Sequence, residues 1–464
     1  MTMKRRDAIK TLGALAGAAS TASLVSACGD NVGEPGDNIE PGIDTFVFLM
    51  MENRSYDHYL GSRALLEGKP SDGLVSGMSN PDPEGNSVEI WPASAGTMCV
   101  LDPPHGWTAS RNPLRDGTND GFVLVHQGKH QSPNAVEPMQ YMTREQLPVL
   151  HALADEYTSC DRWFSSVLGP TLPNRMYWHA GTSNGAVGNF DVLSGAFRGI
   201  TSLYHHLDRA GIDWAYYYGD IPVLAFMEEI ELEGRLRRFS DFLDEAADGR
   251  LPPVVYIDPA FSWNDDHPPH HPLLGQQLIS AIYQALATSP HWERCLLVVT
   301  YDEHGGFFDH VAPPLAADDF ADKGFDQLGF RVPTVIAGPY VKNNHVSSVQ
   351  YDHTSTIRHL ETVFDLTSLT TRSANANDLS DAIDFERLTA GTPSDPVELP
   401  AIEIDELDLP DSCSRANAQS FDHDFLELAE KIDLGTWDLR KEVRDYGYGI
   451  AEYLDRHNLG RIRR

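Results

Sequence analysis

The sequence predicts an α/β protein: a central, mostly parallel sheet flanked by helices, with a long irregular insertion over the site. Two observations carry this reading. Apolar runs of strand length alternate with segments of helical periodicity, the pattern of a parallel sheet covered on both faces. Two of those runs also break directly into paired polar residues at their carboxyl ends, where open α/β sheets gather ligands.

At the amino terminus, Arg5 and Arg6 in MKRRDAIK precede an Ala/Gly-rich run from Thr11 to Ala27, too short and too small in its side chains to span a membrane. The stretch resembles a twin-arginine export signal. Its end, LVSAC, resembles a bacterial lipoprotein cleavage box, which would make Cys28 the lipidated first residue of the mature chain. The alternative is an ordinary signal peptide cut near Ala27. Residues 1–28 are therefore expected to be the signal and 29–42, rich in Gly, Pro and Asp, a flexible tether. Residues 43–464 are expected to form a single domain, exported to the periplasm or cell surface and lipid-anchored. No other segment is long and apolar enough to cross a bilayer.

Within that domain, TFVFLMM (Thr45 to Met51) is the first buried strand. Segment 62–140 has many Pro, Gly, Asn and Asp and little periodicity, and is expected to be the insertion. Helical patterns follow around Gln146 to Tyr157 and Ser202 to Ala210, then strands WAYYY from Trp214 and VVYI from Val254. Further along come a helix from Leu274 to Ala287, the strand LLVVTY from Leu296, the strand VPTVIAG from Val332 and a helix from Thr354 to Phe364. A carboxyl-terminal segment after about residue 370 carries weak strand signals. In it, Ala390 to Ser414 is expected to be surface loop and Asp422 to Ile432 a last helix.

Composition narrows the function. A formal charge of −33 repels phosphate backbones and excludes nucleic acid as a main partner. Of five cysteines, Cys99, Cys160, Cys295 and Cys413 follow the signal; their spacing shows no metal pattern, and Cys295 opens an apolar strand as a buried thiol. An exported chain can pair such cysteines, but spacing selects no pair.

Three groups of residues carry chemistry. Glu52 and Asn53 follow the first strand, and Asp302 and Glu303 follow LLVVTY. Either pair alone reads first as a turn or helix cap. Together, carboxylates at two strand ends of one sheet call for a shared proton or a cation, and oxygen ligands suit Ca²⁺ or Mg²⁺, with Zn²⁺ also accepting carboxylates. In LGPTLPNRMYWHAGTS, Thr171 stands at or next to the cap of a helix running through Trp178. That end attracts an anion, and a hydroxyl there beside a metal suits nucleophilic phosphoryl transfer, with Asn174 one turn on as a donor to phosphate. His267 in NDDHPPHHP and His105 in DPPHGW are candidates to protonate a leaving alcohol. His270 and His271 read as exposed loop as readily as site. Asp352 to Ser355 (DHTS) reads as a helix cap.

ENRSYDHYLG, GPTLPNR, NDDHP, TYDEHGGFFDHV, FRVPTVIAGPYV and DHTSTIRHLETVF stand in the order found in the phosphoesterase family of non-specific phospholipases C and related bacterial acid phosphatases. From Thr45 to Leu366 the chain resembles that family. The resemblance implies an alkaline-phosphatase-like fold and a divalent metal ion held among Glu52, Asn53, Thr171, Asp302 and Glu303. It implies Thr171 as nucleophile, and Asn174, His105 and His267 as the residues that bind and protonate a phosphate ester. A Thr in that place looks more like the phospholipases than the phosphatases. The expected activity is a phospholipase C type phosphodiesterase on phospholipid, with a broad phosphomonoesterase as the rival and a non-catalytic surface binding lipoprotein as the remote alternative.

Overall fold

The structure is a computed structural model that describes residues 42–227, 230–405, 413, 428 and 439–463. The expected signal with Cys28, the tether up to residue 41, and the helix expected over Asp422 to Ile432, apart from Leu428, lie outside the described residues.

Eight strands form the central sheet: β1 (Thr45–Met51), β2 (Thr158–Cys160), β3 (Trp214–Tyr218), β4 (Leu236–Arg238), β5 (Val254–Asp258), β6 (Cys295–Tyr301), β7 (Val335–Ala337) and β8 (His345–Ser347). Their order across the sheet is β8-β2-β7-β6-β1-β5-β3-β4. All pairings are parallel except those that β7 makes with β6 and β2. The expected α/β fold is thus observed. The long apolar runs become the middle of the sheet, where every residue of β1 and β6 is buried. The three strands without an apolar run in the sequence, β2, β4 and β8, are short and lie towards the edges.

Seven helices pack around the sheet or position the site: α1 (Pro148–Glu156), α2 (Thr171–Ala180), α3 (Leu203–Ala210), α4 (Phe239–Ala247), α5 (Pro272–Ala287), α6 (Thr354–Val363) and α7 (Leu439–Arg456). Side chains alternate along a strand, so Phe46 and Phe48 share one face of β1. There Phe46 meets His359 of α6 at 5.7 Å between ring centroids, and Phe48 meets Trp178 of α2 at 5.8 Å. These two helices therefore cover that face. α1, α4 and α7 pack on α5 as a second group.

Two expectations need correction. Segment 62–140 is not wholly irregular: it holds helices Ser62–Glu67, Trp107–Leu114 and Phe122–His130 and a pairing of Ser79–Pro81 with Ser87–Glu89. Its Pro and Gly hide a small separate core in which Leu74, Phe122, Val123, Met139 and Tyr141 meet Phe308 and Phe330. The stretch after Ala390 is not all surface loop. Leu399, Ile402 and Ile404 are buried, and Ile402–Asp405 pairs in parallel with Gly460–Arg463. Cys99 and Cys413 form a disulfide across 314 residues of sequence. Cys160 and Cys295 are buried free thiols, the latter as expected.

Candidate functional site

The site begins with register. β1 and β6 pair with Met51 opposite Tyr301, so the residues that follow, Glu52 and Asp302, emerge side by side at the carboxyl edge in the middle of the sheet. β5 ends beside them at Asp258. The chain then turns sharply. Asn53 takes a left-handed conformation at φ 58°, and a Cβ on Gly305 would collide with the Asn53 carbonyl oxygen, so glycine is required where the two strand exits cross. Asp302 Oδ1 accepts the backbone N–H groups of Asn53 at 3.1 Å and Glu303 at 2.7 Å, tying the exits together. Glu303 Oε2 accepts the Gly305 N–H at 2.8 Å.

Glu52, Asn53, Asp302 and Glu303 are all fully buried. Burial raises the Glu52 carboxyl well above its ordinary range, with Arg175 opposing and Asp265 and Glu303 adding to the rise. Asp302 is raised in the same way, by burial first and then by Glu52. A cluster of this kind favours a cation. The test of fit lies in the oxygens: Asn53 Oδ1 and Glu303 Oε1 are buried with no hydrogen-bond partner. Orphaned acceptors are costly in a folded interior, and oxygen donors of this charge suit a hard divalent ion. The residues present fit the expected metal.

Thr171, buried at 2% exposure, is the first residue of α2, after Pro170 in extended conformation. Side chains four apart on a helix share a face, so Thr171 and Arg175 point the same way. Arg175 is locked to the strand ends. Its Nη1 donates to Asp258 Oδ1 at 3.0 Å, its Nε to Asp302 Oδ2 at 3.3 Å, and its Nη2 to the carbonyls of Met50 and Met51 at 3.2 Å each; Nη2 also lies 3.4 Å from Glu52 Oε1. Thr171 stands one turn before this anchored arginine, on the same helix face.

Asn174, expected to donate to phosphate, has backbone partners here. Its Oδ1 accepts the Val167 N–H at 3.0 Å and its Nδ2 donates to the carbonyls of Val167, Gly169 and Pro170 at 3.0 to 3.2 Å. The amide is spent on the turn leading into α2, so it shapes the turn that presents Thr171. Asn189 adds a second tie, its Oδ1 accepting the Leu172 N–H at 2.8 Å.

The two histidines singled out in the sequence meet: His105 and His267 lie 5.6 Å apart between ring centroids, edge to face. With Asp102 they bring three ligating atoms within 4.8 Å of one another. His105 Nε2 lies 3.1 Å from Asn53 Nδ2 and 3.9 Å from Glu303 Oε1, while Nδ1 donates to the Pro103 carbonyl at 2.7 Å. Burial lowers its affinity for a proton, but the carboxylates of Glu303 and Asp102 outweigh this and hold it up to about 9. His267 arrives from the loop after β5, whose Asp265 carbonyl accepts the Glu52 N–H at 2.8 Å and whose Asp265 Oδ1 accepts the His267 N–H at 2.9 Å. His270 is packed against Asp265 Oδ1 at 2.5 Å, and His271 caps α5 by accepting the Leu273 N–H at 3.3 Å. Asp352 caps α6, accepting the Thr354 N–H at 2.9 Å, and His353 Nε2 lies 2.6 Å from the Asp302 carbonyl.

The structure thus brings Glu52, Asn53, Asp302, Glu303 and His105 into one contact network, places Thr171 one turn before Arg175 on α2, and sets His267 against His105. Sequence reasoning missed Arg175, Asp258 and Asp265. Arg175 was within reach: a charged residue four after Thr171, on a helix whose other residues are mostly apolar or aromatic, is on the face of the hydroxyl.

The Phosphoesterase family model matches residues 43–367. Non-specific phospholipase C6 of Arabidopsis thaliana is 31% identical over 395 residues, 78% of this chain and 75% of its own. Non-specific phospholipase C1 of the same plant is 33% identical over 72% of this chain and 70% of its own. Phospholipase C B of Mycobacterium tuberculosis is 30% identical over 74% and 78% respectively. Among solved structures, an alkaline phosphatase superfamily protein from Vibrio parahaemolyticus has 10% identity and a TM-score of 0.39, covering 82% of this chain and 79% of its own.

Proposed function

The chain belongs to the phosphoesterase family and is a phosphoric ester hydrolase of phospholipase C type; from that premise we propose that it cleaves phospholipid phosphodiesters with Thr171 as nucleophile. The observation that carries the proposal is the seat of Thr171. It opens α2 on the same helix face as Arg175, whose guanidinium spans the carboxylates at the ends of β1, β5 and β6.

A divalent ion held by Glu52, Asn53, Asp302 and Glu303, with the Thr171 hydroxyl, would supply charge neutralisation for a phosphate ester in a buried, acidic site. The chain does the rest. Asn174 and Asn189 fix the turn and first helical residues so that Thr171 Oγ1 is aimed before substrate arrives. Attack of that oxygen on phosphorus releases the diacylglycerol alcohol and leaves the phosphorylated head group on Thr171, from which water frees it. The departing oxygen needs a proton, and the imidazoles of His105 and His267 hold it on the open side of the carboxylates.

Phosphomonoester hydrolysis is the second reading, because the same residues serve either ester. Turnover of p-nitrophenyl phosphocholine should exceed that of p-nitrophenyl phosphate; the reverse preference assigns the chain to the acid phosphatases of its family. We also propose twin-arginine export and lipid anchoring at Cys28. The Cys99–Cys413 disulfide supports an oxidising compartment. Among the described residues no helix is long and apolar enough to cross a membrane. Cys28→Ser should move the protein from the membrane fraction to the soluble exported fraction; wild-type protein already found there defeats the anchor.

A further inference from the structure

We propose that Arg175 is a positioning residue that clamps the cation ligands to the nucleophile helix, so that metal affinity and the aim of Thr171 are set by one side chain. The inference rests on the phosphodiesterase reading and extends it to a residue that touches neither metal nor substrate.

Geometry separates two sets of contacts around this guanidinium. Its firm anchor is Asp258, at 3.0 Å from Nη1. Asp258 is itself held, with Oδ2 accepting the Val223 N–H at 2.9 Å and the Tyr216 hydroxyl. Asp258 ends β5 beside the cluster and, held on both oxygens, serves as the fixed base of the clamp. The Met50 and Met51 carbonyls complete the base. Contacts to Glu52 and Asp302 are longer, 3.4 and 3.3 Å, and each reaches one oxygen of its carboxylate. Arg175 therefore orients both carboxylates through one oxygen each, while the other oxygen of Asp302 holds the Asn53 and Glu303 N–H groups. The guanidinium is completely buried, and its five N–H groups in one plane reach three strand ends at once, which an ammonium cannot do.

The same side chain belongs to α2. One turn separates it from Thr171, so any shift of the guanidinium relative to Glu52 and Asp302 moves the hydroxyl relative to the ligands. Partners behind metal ligands typically govern affinity or activity by about 10- to 100-fold.

The test uses the full-length protein and reads divalent-ion binding apart from turnover. Apo protein is titrated calorimetrically with Ca²⁺, Mg²⁺ and Zn²⁺, and the ion bound tightest is followed in the variants Arg175→Lys and Asp258→Asn, whose folding is checked by near-ultraviolet circular dichroism. In Arg175→Lys the affinity should fall about tenfold or more, with kcat on p-nitrophenyl phosphocholine falling at least as much and KM changing less. Asp258→Asn keeps every ligand and the arginine but weakens the base, and should shift both readouts in the same direction by a smaller factor. Folded variants that bind the ion as the wild type does overturn the clamp, as does a loss of kcat with unchanged affinity. If the wild type binds the ion but does not cleave the diester, the functional reading fails while the affinity shifts still decide the clamp.

Discussion

At the scale of single residues, Thr171 is where helix capping and chemistry make opposite predictions. Thr171→Ala should abolish turnover while the fold persists, and Thr171→Ser should keep substantial activity because an oxygen remains in place. Were the residue only part of a helix start, the Ala variant would fold and still turn over. A steady-state assay beside a melting curve separates the two. Asp302→Asn keeps the shape and both backbone acceptor contacts but removes a charge from the cluster, so activity should fall by about 10² or more; near-normal turnover would rule out its part in holding a cation. The residues with chemistry of their own were legible in the sequence, since hydroxyl, imidazole and paired carboxylates announce themselves after strands and at helix starts. Asn174 was read as a donor to phosphate, and the sequence held no signal for its partners here, the carbonyls of Val167, Gly169 and Pro170, because an amide in that place suits phosphate and backbone equally.

At the scale of elements, the crossing of the β1 and β6 exits is the vulnerable joint. Gly305 sits at φ 61° against the Asn53 carbonyl. Gly305→Ala combines a strained backbone with a backbone clash, which side-chain movement cannot relieve, and should cost about 1–3 kcal/mol. It should also reduce activity more than an equally destabilising change elsewhere, because Asn53 and Glu303 move with it; thermal melts and kcat measured together check this. Long central strands and amphipathic helices were readable because burial on both faces or on one stripe imposes a period. The short strands β2, β4 and β8 were not, since three residues have no room for a pattern. β7 was foreseen as a strand, but its antiparallel direction is fixed by how the chain returns, and no local signal carries that.

At the scale of the whole molecule, an ion-pair cluster joins the start of the insertion to α1. Asp155 lies 2.9 Å from Arg63, 2.8 Å from Lys69 and 2.7 Å from Arg144, which also reaches Glu67 at 2.6 Å. Burial opposes ionisation of Asp155, yet these cations hold its carboxyl down to about 2; Glu67 is held down to about 2 by His151 and Arg144. Folded-state values below the unfolded ones mean stability that is present above about pH 4 and lost as the pH falls towards 2. Arg144→Ala should therefore be less stable than wild type at pH 6, with the difference shrinking between pH 4 and 2; a difference that stays constant over that window would show the pairs to be idle.

The Cys99–Cys413 link has a consequence for how the site opens. Amide protons of β1 and β6, in the centre of the sheet, should exchange with solvent only when the whole domain unfolds, whereas segment 62–140, resting on its smaller core, belongs to a less protected unit. His105 rides on that unit, six residues from Cys99, and the disulfide ties it to a distant part of the chain. Reductant should leave the slow exchange of the strands untouched and speed exchange around His105. That outcome would mean that the carboxylate cluster outlasts its contact with His105, and that the oxidation state of one cysteine pair sets how often the contact is lost.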